Sequence, residues 1–135
     1  MRFQAANVEF PISSERGDSL IETFPYEGRE VRVSRTRCVD KRGPYPNGLY
    51  EFYYEYDLYE FMEGPETLHA RSYTTEPEEA HLLAIEIDGQ RQLLSRADVG
   101  RPLVKAALEY FRHAGKTRLD WLDSANEENG YSSAP

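Results

Sequence analysis

Glu51, Tyr53, Glu55 and Asp57 alternate along residues 49–61, so in an extended chain they share one side, with Glu60 close behind. Carboxylates interleaved with tyrosine suit recognition of a basic protein surface. The ring supplies contact area and a hydroxyl, and the acids select positive charge. The preceding stretch carries Arg29, Arg32, Arg35, Arg37, Lys41 and Arg42, which offers those acids a plainer use as ion-pair partners. A second group, His69, Arg71 and Tyr73, lies on the segment that follows. A Glu60–His69 pair there could exchange protons while Arg71 holds an anion, in a tyrosine-lined pocket between sheet and helix. A polar cross-strand pair on a wet face accounts for the same residues without chemistry.

Other chemistries find little support. His69, His81 and His113 are far apart and never four residues apart on one helix, so no metal site is expected. No nucleophile-elbow, dinucleotide or phosphate-loop sequence occurs, and no cofactor is expected. Cys38 is the single cysteine, which excludes an intrachain disulfide. A net charge of −8, from 24 acids against 16 bases, argues against nucleic acid and anionic membranes as partners. The first residues lack the apolar run of a signal peptide and no stretch has the length of a membrane span, which points to a cytoplasmic protein. The residues therefore point to a non-enzymatic acidic binding protein of the inhibitor or immunity type. It would engage a basic protein through Glu51, Tyr53, Glu55, Asp57 and Glu60. The alternative is a small enzyme or ligand-binding domain using His69, Arg71 and Tyr73. The oligomeric state stays open.

These groups need elements to hold them. Val8, Phe10 and Ile12 alternate as a short strand would, and residues 20–24 suggest another. Residues 30–39 form a strand with arginines on both sides, which suits an edge or a strongly curved position. Residues 49–61 give the clearest period of two, with Tyr50, Phe52, Tyr54 and Tyr56 as the core side. After Asp57 the aromatic phase slips to Tyr59 and Phe61, which predicts a β-bulge near Asp57 or Leu58. A turn at residues 63–66 returns the chain as residues 67–75. The register then sets Phe61 opposite Leu68, Tyr59 opposite Ala70, Glu60 opposite His69 and, past the bulge, Asp57 opposite Arg71 and Tyr56 opposite Ser72.

Asp88-Gly89 predicts a second hairpin. Residues 95–98 resemble a capping box, and a helix starts at Arg101 or Pro102. Leu103, Ala106, Ala107, Tyr110, Phe111 and Ala114 recur at helical spacing up to Gly115. Leu119, Trp121 and Leu122 close the ordered part. Residues 1–122 thus read as one domain, and residues 123–135 as a disordered acidic tail. The fold class is α+β: an antiparallel, twisted sheet of about five to seven strands with one C-terminal helix packed on one face.

Overall fold

Four antiparallel neighbours open the chain: β1 (Ile12–Tyr26), β2 (Arg29–Arg42), β3 (Phe52–Glu63) and β4 (Glu66–Tyr73). The computed structural model describes residues 12–126 and 130–135. Of the strand expected around Val8, Phe10 and Ile12, the first two residues lie outside that range. The β1–β2 turn uses Glu27 and Gly28 with φ of 48° and 77°, the left-handed pair that matches the twist of a two-residue hairpin. β5 (Glu79–Ile87) follows β4 and turns at Asp88-Gly89 into β6 (Gln90–Leu93). After a 3-10 turn at Asp98–Gly100 come α1 (Pro102–His113), β7 (Arg118–Leu122) and β8 (Tyr131–Ser133).

The described residues form one eight-stranded sheet, in the order β1-β2-β3-β4-β5-β7-β8, with β6 also on β5. The class is α+β and the sheet is mostly antiparallel. Three expectations need correction. The sheet is mixed, because β7 runs parallel to the first half of β5. The helix is not the last element: α1 lies on the crossover from β5–β6 to β7, the long connection a parallel pair requires. The segment 123–135 is not wholly disordered, since Tyr131–Ser133 pair with β7 and buried Asp123 accepts a 2.6 Å hydrogen bond from Ser132. Residues 127–129 of that segment lie outside the described range.

Helix α1 begins where the sequence places it. Pro102 sits in the first turn, where no backbone donor is lost, and Arg112 and His113 sit in the last turn, near the negative end of the helix dipole. Its buried side, Leu103, Val104, Ala107, Leu108 and Phe111, meets Val31, Val33, Phe61, Leu68, Leu82 and Trp121. Phe111 approaches Tyr59 and Phe61 edge-on, with ring centres 4.9 and 5.3 Å apart.

That packing decides the faces of β3. Pairing with β4 runs without a shift from Glu63–Glu66 to Tyr56–Tyr73, so the bulge expected near Asp57 or Leu58 is absent from this pair. Glu60–His69, Phe61–Leu68 and Tyr59–Ala70 pair as expected, but Asp57 meets Ser72 and Tyr56 meets Tyr73. Odd-numbered residues therefore face α1, and Tyr59 and Phe61 are the buried ones. The even-numbered Tyr50, Phe52, Tyr54 and Tyr56 are not the core side, and Tyr50 and Tyr54 are exposed. The aromatic phase changes because β3 runs from an uncovered end, with rings on both sides, into the part beneath α1.

Bulges occur elsewhere. One sets Gly17 and Asp18 opposite Arg37, and one inserts Leu83 into β5 so that both Leu82 and Ile85 reach the core. β2 is flanked by β1 and β3, so it is not the edge its arginines suggested. Arg35 and Arg37 lie on it at exposed positions, Arg35 bonded to Tyr59 at the margin of the helix-covered part.

Candidate functional site

Beyond α1, the ends of β1, β2 and β3 continue as a ribbon with both faces uncovered by the helix. On its helix-side face, Arg37 sits beside the acids of β3 because the register pairs it with Asp57. It donates from Nε to Asp57 Oδ1 and from Nη1 to Glu55 Oε2, both at 2.7 Å. These hydrogen bonds, from Asp57 first and then Glu55, raise the guanidinium pKa further. Arg42 Nη1 lies 3.1 Å from Glu51 Oε2, Tyr45 donates its hydroxyl to Glu51 Oε1 at 2.9 Å, and Lys41 pairs with Glu15 at 3.0 Å. The carboxylates are thus held by cations of the neighbouring strand, as the adjacent arginine run suggests.

The aromatic groups have no such cover. Leu49, Tyr50, Tyr53 and Tyr54 are all exposed, Tyr53 at 49%. The rings of Tyr50 and Tyr53 stand 5.2 Å apart, and Phe52 stacks on Tyr54 at 5.6 Å. Glu60 does not join this group. It lies on the far side of the sheet, where its Oε2 is 3.5 Å from His69 Nδ1.

His69, Arg71 and Tyr73 share that far face, turned away from α1, so they do not line a pocket between sheet and helix. The space there is filled by Tyr59, Phe61, Leu68, Ala70 and Phe111. His69 is buried between Glu60 and Glu86, whose Oε1 is 3.1 Å from Nε2. The Arg71 guanidinium stands 4.8 Å from the centre of the Tyr73 ring and 5.9 Å from that of Tyr56, and donates to the Tyr131 hydroxyl at 3.3 Å. Tyr56 donates to Asp40 at 2.8 Å, and its phenol is pushed up to about 12 by burial and then by that carboxylate. His81 bonds to Asp120 through Nδ1 and stands 5.0 Å, ring to ring, from Tyr131.

This polar–aromatic layer was not legible as a unit. Asp120 and Tyr131 enter it through the pairings of β7 and β8, which carry no local signal. Among the described residues no three His, Cys, Asp or Glu side chains are placed to hold a metal, and no helix is long and apolar enough to cross a membrane. Cys38 is buried, with its thiol directed to the Thr36 carbonyl at 3.7 Å. Comparison with protein-family models, curated proteins and solved structures yields no match.

Proposed function

We propose that this protein is a non-enzymatic binding protein, of the inhibitor or immunity type, which engages a basic protein partner through the projecting end of β2 and β3. The carrying observation is the exposed ring pair Tyr50 and Tyr53, 5.2 Å apart outside the cover of α1, with exposed Leu49 next to it in the chain. Single exposed apolar residues are ordinary, whereas a contiguous patch supports an interaction site. Tyrosine is suited to the centre of such a site, because a large ring with few rotatable bonds loses little entropy on contact. Glu51, Glu55 and Asp57 then act at the rim. Already fixed by Arg42 and Arg37, they contribute to orientation and encounter rate more than to affinity. The net charge of −8 favours approach of a cationic partner. Glu60 takes no part, since it faces the other way.

The test is capture of partners from the native lysate by immobilised protein, followed by binding kinetics with the captured species. The Tyr50→Ala/Tyr53→Ala variant is expected to lose the partner while keeping the wild-type circular dichroism. Retention of every partner by that variant refutes the site. An association rate indifferent to salt removes the basic partner.

A further inference from the structure

A groove of about 600 Å³ runs along α1, away from the tyrosine patch. Three devices build it. Buried Asp98 accepts hydrogen bonds from Ser95 N at 2.9 Å and from Arg101 Nε at 2.8 Å, which tie the 3-10 turn to the start of α1. The parallel crossover brings Trp121 beneath the helix, and the segment after β8 reaches Arg112 through the Pro135 carbonyl. The floor is apolar, made by Val99, Leu108 and Trp121.

The rim has the opposite character. Arg96, Lys105 and Arg112 line it against a single carboxylate, Glu109, in a chain whose net charge is −8. Arg96 and Lys105 are loosely held, whereas Arg112 donates through Nη2 to the Pro135 carbonyl. Arg96 is 3.7 Å from Asp123 with 81% of its side chain exposed, and Arg112 is 3.6 Å from Glu109. Lys105 makes no ion pair among the described residues. The Arg96 guanidinium also lies over the Trp121 ring at 5.7 Å.

From this juxtaposition we propose that the groove binds a small organic carboxylate with an apolar body. The volume falls within the range of about 300–1,000 Å³ common for small-molecule sites. The body lies on Val99, Leu108 and Trp121, and its transfer from water supplies the driving force. The carboxylate meets Lys105 and Arg96, where charge-assisted hydrogen bonds orient it. A polyanion would use the rim but leave the floor empty, so the floor selects a single charged end on an apolar frame. None of the lining residues belongs to β2 or β3, so this site stands or falls independently of the tyrosine patch.

Trp121 is the only tryptophan, so its fluorescence reports on the groove directly. The full chain is titrated with 4-phenylbutyrate and, separately, with its neutral amide. A saturable change with the acid is expected, about tenfold weaker for the amide and for an Arg96→Ala/Lys105→Ala variant. Both side chains are exposed, so the variant keeps its fold by circular dichroism. The single change Lys105→Glu gives the same loss should the double variant be less stable. The proposal is overturned by a non-saturable response to the acid, by equal binding of the amide, or by unchanged binding in the variants.

Discussion

Phe61 and Tyr53 stand on the same face of β3, eight residues and so about 26 Å apart along the strand. The structure assigns them opposite weights. Phe61 is fully buried, with Phe111 at 5.3 Å and Tyr110 at 5.4 Å between ring centres. Truncating such a ring removes its transfer energy and leaves a cavity that the neighbouring rings cannot close, at a cost of about 3–5 kcal/mol for Phe61→Ala. That is a large part of the roughly 5–15 kcal/mol that holds a domain of this size together. Tyr53 is half exposed and touches chiefly Tyr50, so Tyr53→Ala costs under about 1 kcal/mol, mostly strand preference. Urea unfolding followed by circular dichroism measures both, read as a shift in midpoint at constant slope. Phe61→Leu, at about 1.5 kcal/mol or slightly more, supplies the comparison should the alanine variant fail to fold. A loss for Tyr53→Ala equal to that for Phe61→Ala refutes the reasoning. It means that the far end of β3 is packed, and the tyrosine patch is then no free surface.

Two further outcomes follow from titrating groups. Burial by itself raises the Asp98 pKa, but hydrogen bonds from Arg101 and Ser95 outweigh it and hold the carboxyl below its usual value. Its contribution is therefore present above about pH 4 and lost as pH falls through the lowered folded value. Asp98→Asn should lower stability by about 1.5–3 kcal/mol at neutral pH, with the thermal unfolding curves of variant and wild type converging in acid; a pH-independent gap refutes the assignment. Tyr56 has the opposite sign. Its phenol is raised to about 12, so its contribution is complete below about pH 10 and lost as pH rises through 12. Tyr56→Phe should remove a late phase from the ultraviolet phenolate titration, and identical late phases in both proteins contradict that environment.

The elements near each turn were legible because the information that sets them is local. The pairs Phe61–Leu68 and Tyr59–Ala70 follow from the turn at Gly64, the β5–β6 hairpin from Asp88-Gly89, and the start of α1 from Pro102. The pairing of Glu55 and Asp57 with Arg37 was also within reach, since β2 and β3 are successive strands. Which parity of β3 is buried was not. Rings stand on both sides of its open end, and the choice depends on where α1 lands, many residues later in the chain. The same holds for the groove. Its cations sit near or on α1, but its tryptophan floor arrives only through the parallel pairing of β7 with β5. The sequence by itself determined the local registers, the helix and the stock of exposed-type residues, because neighbours in the chain meet at little entropic cost. Only the tertiary structure decided which face is core and which stays wet, because burial is shared between elements and belongs to neither alone.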